Sequence, residues 1–434
     1  MAAMRSASTS NQAKKKSGSG CFLGLWLVVI AIGCGGWWLV PRLHRIDIET
    51  ARDGDLIAVA KSLIAEELPQ KPSKETAAPD LAPVELPAGI PNSEPATVAA
   101  TESTAKPDGG VATIPVAPPP PPPVPTEAIA VGPSLPADWE AKELRGIYLS
   151  RYQVTNRASE QTIRDRVRYY KAQGINTLIH GVWGNGCAMY PSEVMQATLG
   201  YASCPNLFED QWLDWLLDEA HQQGMQVHAY FEKGIKLDKN SPIFDLATTR
   251  GWFVPGVDKT YPSVDHYLLN VENPEVAKYF TEIAAEFVRQ YPTIDAVQWD
   301  DYVGYHEDLP GNADRTPQLT AFMLNIRQAV KQENPDVSFD VCHHNPYWGK
   351  RYFDADWANW QVDRAFIQVY NDDNFDVEMD YVQQNAGIAI SDNQFNRLER
   401  LAANPKVKSV LLFPSAGRPE ETAAKFRAVW EAAK

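Results

Sequence analysis

Eight short β-rich runs, each followed by a helical pattern, fill the chain from Glu143 onward, no Gly-rich phosphate loop follows an early run, and carboxylates gather where runs stop. Together these observations predict a (β/α)8 TIM barrel whose chemistry sits at the C-terminal ends of its strands. A doubly wound open sheet is the alternative, and it ordinarily carries the phosphate loop that is missing here.

The runs read as strands at Glu143–Ser150, Asn176–Trp183, Gln226–Glu232, Asp295–Asp301, Val337–His344, Ala365–Asn371, Gly387–Asp392 and Ser409–Ser415. Ser159 can cap the first helix. Leu213, Leu216, Leu217 and Ala220 make the apolar stripe of the second, which stops at Gly224. Asn273 and Thr316 each precede a proline at a first helical position, with stripes following through Tyr279, Phe280, Ile283 and Phe287 and through Phe322, Ile326 and Val330. The connection from Lys233 to about Asn273 is long and carries Trp252, Phe253, Tyr261 and Tyr267. Loops after strands form the rim of a barrel, so these rings either stack on a sugar or pack the loop down.

Ahead of the barrel the 434-residue chain changes character. Cys21 to Val40 is uncharged and apolar for twenty residues, about 30 Å as a helix, the hydrocarbon thickness of a bilayer. Lys14, Lys15 and Lys16 precede it and favour a cytoplasmic N-terminus, while Arg42, Arg45 and Arg52 on the far side weaken the asymmetry. The stretch Ile30 to Cys34 also reads as a lipidation box, against which Trp37 to Val40 continue the apolar run. Between Trp38 and Trp139 there is no aromatic residue, and Pro, Ala, Glu and Thr lead up to the run Pro118–Pro123. Such a segment cannot bury enough surface to offset its ordering entropy. The expected organisation is a cytoplasmic N-terminus over 1–20, a transmembrane signal anchor over 21–40, a disordered linker over 41–137 and the barrel over 138–434, on the extracytoplasmic or periplasmic side of the cytoplasmic membrane.

A net charge of −15 argues against a nucleic-acid partner, because phosphate binding needs a basic face. No cofactor motif occurs, and no cofactor is expected. Cys187 and Cys204 bracket one loop; in an oxidising compartment they can pair, and two free buried thiols are the alternative.

Functional residues of a barrel cluster at strand ends. The second strand delivers Trp183 and Asn185, the third Tyr230 and Glu232, the fourth Gln298, Asp300, Asp301 and Tyr302, the fifth His343, His344 and Asn345, the sixth Gln368 and Tyr370. Strand side chains alternate, so Gln298 and Asp300 share a face while Asp301 points away unless the loop has already begun. Neighbouring strands lie about 4.8 Å apart, which brings the carboxyls of Glu232 and Asp300 together across the barrel mouth. Two such carboxylates, one kept protonated by its surroundings, are the machinery of glycoside hydrolysis, with retention at separations of about 5 to 5.5 Å and inversion at about 6.5 to 9.5 Å. Asp300 is then nucleophile or base, Glu232 the leading general acid and Asp301 their support. Gln298, Tyr302, His343, His344, Asn345, Asn185, Gln368 and Tyr370 would position the sugar, and Trp183 and Tyr230 would offer stacking faces. A blander reading pairs Glu232 with Lys233 or Lys236. Adjacent His343 and His344 lie on opposite strand faces without metal-ligand spacing, so no metal site is expected. Asp340, mid-strand, needs a partner such as Arg145.

The blocks ELRGIYLS, GINTLIHGVW, VHAYFEKG, LNVENPEV leading into IDAVQWDDYVGY, and FIQVYN resemble, in order, those of the glycosyl-hydrolase-like 10 family, from Glu143 to about Ser415. The resemblance implies a (β/α)8 hydrolase of glycosidic bonds, and some bacterial members are similar to enzymes that cut peptidoglycan glycan strands after the peptides have been removed. It maps the family's fourth-strand acid to Asp300, with Asp301 and Tyr302 following as in many relatives. Many relatives carry Asn at the position of Glu232, and small residues with Pro where this chain has Cys342, His343 and His344. The expected partner is a cell-wall polysaccharide; a non-catalytic glycan-binding barrel and a protein-binding envelope component are the competing expectations.

Overall fold

The computed structural model describes residues 134–150, 154–204, 211–260 and 264–432. The expected anchor, its cytoplasmic flank and the linker up to residue 133 lie outside the described residues. Among the described residues no helix is long and apolar enough to cross a membrane.

Eight parallel strands form the predicted barrel: β1 Leu144–Leu149, β2 Thr177–Gly184, β3 Gln226–Phe231, β4 Ala296–Asp300, β5 Ser338–His343, β6 Arg364–Val369, β7 Gly387–Ser391 and β8 Ser409–Phe413. Each pairs with the next, and β8 pairs back to β1 with Leu144 opposite Ser409, which closes the sheet and leaves no free edge. The main helices are α1 Glu160–Ala172, α2 Trp212–Gln222, α3 Pro274–Gln290, α4 Thr316–Glu333, α5 Pro346–Phe353, α6 Phe375–Asn385, α7 Leu398–Ala403 and α8 Pro419–Ala432.

The alternation of each strand builds two cores. Leu144, Tyr148, Ile179, Cys342, Phe366, Ala389 and Leu411 fill the barrel interior. Residues of the opposite parity, such as Phe231 and Trp299, pack outward against the helices, their rings stacked with centroids 4.5 Å apart. Inside the barrel, Arg364 on β6 donates through Nε to both oxygens of Asp340 on β5, at 3.1 and 3.0 Å, and Ser338 adds a hydroxyl at 2.6 Å. Arg145, the partner expected for Asp340, instead holds the Gly174 and Glu140 carbonyls, because Leu144 and Tyr148 take the inward positions of β1 and leave Arg145 with the outward parity.

Local signals place the helix ends. Ser159 Oγ accepts from the Thr162 amide at 3.2 Å and Asn273 Oδ1 from the Glu275 amide at 2.9 Å. Gly224 takes the left-handed conformation that ends α2. Thr316 is not a cap: it is already the first residue of α4, and Asp314 Oδ1 receives its amide at 3.0 Å. At the start of the described barrel region Leu135 is buried and Trp139 packs on Phe426 and Trp430 at 4.9 and 5.8 Å.

The long connection after β3 folds back on itself. Its strands Lys236–Leu237 and Tyr267–Leu268 pair antiparallel, and Trp252 is buried beneath them with Nε1 donating to Glu275 at 3.0 Å.

Candidate active site

β4 carries the centre of the site. Gln298 is in register with Tyr230 of β3 and Asp340 of β5, and Asp300 with Cys342, so Gln298 and Asp300 both face inward, as alternation requires. Asp300 is only 2% exposed. Its Oδ1 accepts from the Tyr302 amide at 3.1 Å and its Oδ2 from the Tyr230 hydroxyl. Burial pushes its pKa well up, the neighbouring Asp301 charge pushes it further, the Tyr230 and Tyr302 hydrogen bonds pull it back, and Glu232 adds a smaller upward push. Below it, Tyr148 of β1 donates to Gln298 Oε1 at 2.7 Å.

Asp301 also turns into the mouth. β4 ends at Asp300, so Asp301 opens a turn in which strand alternation no longer holds, and its buried carboxylate reaches across to β6 and β5. Gln368 Nε2 donates to its Oδ1 at 3.3 Å and also to the Cys342 carbonyl at 3.2 Å. His344 Nε2 stands 3.6 Å from its Oδ2, with the imidazole stacked on Phe353 at 5.0 Å. Burial lowers the pKa of His344, and the Asp301 charge opposes that.

Glu232 stands one residue beyond β3 and is partly exposed. The lysines offered as its alternative partners make their ion pairs elsewhere: Lys233 Nζ is 2.6 Å from Asp238, and Lys236 Nζ 2.7 Å from Asp258. Burial raises the pKa of Glu232, Lys233 lowers it and Asp238 raises it. Its charge contributes to the upward shift of Asp300, so the two carboxyls share one electrostatic environment at the mouth.

Four expected substrate contacts lie elsewhere. Trp183 is fully buried outside the barrel, where its ring packs on Phe280 at 5.1 Å and Tyr279 at 5.8 Å and its Nε1 donates to Gly234 O. The cause is a bulge in β2: the register runs Gly181 to Tyr230 and then Trp183 to Phe231, which moves Trp183 to the outward parity. Asn185, in a left-handed turn, is consumed tying loops together, its Oδ1 accepting from the Asp238 amide at 2.8 Å and its Nδ2 donating to Asn240 at 2.9 Å. His343 takes the outward parity of β5, fully buried against Phe353 at 5.9 Å. Asn345 caps α5 through the Trp348 amide at 2.9 Å and donates to Glu378 at 2.8 Å. Tyr302 is near the centre, its ring between the Lys236 ammonium at 5.1 Å and the edge of His266 at 5.5 Å.

The aromatic surface of the mouth comes from other rings. Tyr148 meets Tyr230 at 5.2 Å and Phe413 at 5.9 Å, and Tyr370 meets Phe413 at 5.5 Å, so the ends of β1, β3, β6 and β8 form one aromatic wall beside Asp300. The sequence does not single out Tyr148 and Phe413. Tyr148 was legible as an inward residue near the end of the first strand, and Phe413 as the last residue of the eighth. Near the base of the second loop, Cys187 and Cys204 are joined in a disulfide with Cα atoms 5.3 Å apart, and Cys342 is a buried free thiol.

Residues 143–317 match the family described as glycosyl hydrolase-like 10, a span from β1 into α4 that includes Glu232, Asp300 and Asp301. The chain is similar to a glycosyl hydrolase DigH of Escherichia coli K12, 27% identical over 266 residues that make up 52% of this chain and 57% of that protein. It is also similar to an intracellular maltogenic amylase of Bacillus subtilis 168, 27% identical over 208 residues, 43% of this chain and 32% of that one. The match therefore spans about half the length of the former relative and a third of the latter. Among solved structures, a family 20 exo-β-N-acetylglucosaminidase of Vibrio harveyi aligns over 67% of this chain and 54% of its own, with 9% identity and a TM-score of 0.45.

Proposed function

We propose that this protein is a membrane-anchored glycoside hydrolase that cleaves an envelope or cell-wall glycan, with peptidoglycan glycan strands as the candidate substrate. The observation that carries the reading is Asp300: a buried carboxyl at the end of β4, with a donor on each oxygen and two further carboxyls, Asp301 and Glu232, at the same mouth.

In this reading Glu232, partly exposed and with its pKa raised by burial, protonates the glycosidic oxygen as the bond to the anomeric carbon breaks. Asp300 acts on the opposite side of the sugar as nucleophile or as base for water. Asp301, held by Gln368, supports the geometry of the turn that brings the Tyr302 amide to Asp300. The wall of Tyr148, Tyr230, Tyr370 and Phe413 supplies apolar surface for a pyranose face, and Gln368 and His344 supply hydrogen-bonding groups for its hydroxyls. The apolar segment Cys21–Val40 and the Pro-rich linker after it support a tether that leaves the barrel free to sweep the envelope outside the cytoplasmic membrane.

The test is release of soluble fragments from peptide-free cell-wall glycan by the purified full-length chain. Asp300→Asn is expected to reduce release by about 1,000-fold or more while binding to the glycan persists. Undiminished release by that variant excludes the assignment, and binding without new reducing ends in the wild type makes the barrel a glycan-binding module instead. Fractionation of cells carrying the full chain, with protease added outside the cytoplasmic membrane, tests the anchor: the barrel is expected in the membrane fraction and accessible.

A further inference from the structure

The candidate site contains a hydroxyl whose position is more specific than a stacking face requires. Tyr230 lies on β3 opposite Gln298 of β4, and its hydroxyl reaches up to Asp300 Oδ2. The ring is held edge-on by Tyr148 at 5.2 Å, and Tyr148 is itself fixed by its 2.7 Å hydrogen bond to Gln298. The Tyr302 amide occupies the other oxygen of Asp300. Two donors on two oxygens fix the plane of a carboxylate and favour its charged form.

We propose that Tyr230 is a positioning residue for the reaction, orienting Asp300 through its hydroxyl and favouring its charged form, for attack or proton abstraction, against burial and the acidic neighbours. The inference rests on the reading of the site as a glycoside hydrolase. It assigns the ring a different task from sugar stacking, and it separates the roles of the carboxyls: Asp300, with both oxygens receiving donors, works as the anion, and the proton for the leaving group comes from Glu232. Among the described residues, the titratable groups that act on Asp300 or feel it are Asp301 beside it, Tyr230 on β3 and Glu232 just past it, Tyr148 on β1 and Cys342 on β5. His344 stands against Asp301, and Tyr370 acts on Tyr148. Burial first, and then the acidic neighbours, disfavour the charged form of Asp300; the Tyr230 hydroxyl and the Tyr302 amide work against them.

Tyr230→Phe deletes only the hydroxyl. Removing a hydrogen bond to a charged acceptor is expected to raise the acid limb of kcat/KM by about one to two pH units, with kcat down about 10- to 100-fold and KM for glycan fragments little changed. A purely packing role for the ring leaves the acid limb in place, and an unmoved acid limb, or a shift confined to the alkaline limb, overturns the proposal. The titration of Asp300, followed by carboxyl 13C NMR of Asp-labelled protein and assigned with Asp300→Asn, is expected to move upward in the Phe variant; an unchanged titration also overturns it. That measurement needs no turnover. If the wild type releases no fragments at all, the hydrolase reading fails while the NMR result still decides whether Tyr230 governs Asp300.

Discussion

Gln368 on β6 donates to Asp301 at the end of β4 at 3.3 Å, spanning the intervening β5, whose Cys342 carbonyl accepts from the same nitrogen at 3.2 Å. One amide thus links three strand ends and sets the orientation of the carboxylate beside Asp300. Gln368→Ala is expected to lower kcat by about 10- to 100-fold, the scale of a misplaced reacting group, with a smaller change in KM. Steady-state kinetics on soluble glycan fragments would show it, and equal effects on kcat/KM and KM with kcat preserved would mean that Gln368 only binds the sugar.

Inside the barrel, Asp340 depends on Arg364. Burial raises the Asp340 pKa and the Arg364 guanidinium is the main opposing influence. Arg364→Ala therefore leaves a buried carboxylate without its ion partner, at a cost of about 3–5 kcal/mol in urea unfolding at neutral pH. Because the folded-state pKa of Asp340 rises further in that variant, the loss is expected to shrink as pH falls and the carboxyl protonates. Replacing both residues with apolar side chains of similar volume should restore much of the stability.

The Cys187–Cys204 disulfide closes a loop of 17 residues in sequence separation. A closure of that length contributes about 3 kcal/mol in the chain-entropy account. Cys187→Ala with Cys204→Ala is expected to lower the melting temperature measurably by calorimetry, and reducing agent should reproduce the shift in the wild type and leave the double variant unmoved.

Glu378 on α6 provides a pH-dependent contribution to stability away from the chemistry. Burial raises its pKa from 4.5 to about 7, with the hydrogen bond from Asn345 pulling the other way. The folded state therefore binds this proton more tightly than the unfolded chain does. The stabilisation is fully present below the unfolded pKa and is lost as pH rises through the folded one. Its full extent is about 3 kcal/mol. Glu378→Gln should flatten the stability profile between the two pKa values, and an identical slope in urea titrations of variant and wild type would show that Glu378 is not the group responsible.

The legibility of this chain differs element by element. All eight strands could be read because each is a compact β-branched and aromatic run bounded by helical patterns, and only their ends shifted by a residue or two. Asp300 was legible for the same reason, as the last inward residue of β4. Trp183 was not, because a single bulge in β2 reverses parity, and its one local sign is Gly181 inside the strand, which does not by itself fix the register. Asp301 followed the loop rather than the strand. Asn345 and Asn185 read as strand-end polar groups, yet their side chains satisfy a helix terminus and a loop amide that only the folded chain brings near them.

The sequence by itself determined the architecture and the strand ends where the candidate site lies, since hydrophobic period and strand-helix alternation are properties of neighbouring residues. Which groups meet at the mouth was decided by tertiary structure. Tyr230 reaches Asp300 across 70 positions and Gln368 reaches Asp301 across 67, and these pairings depend on sheet register, on a bulge and on where β4 stops. A strand's pattern states which way its side chains face; only barrel closure states what they face.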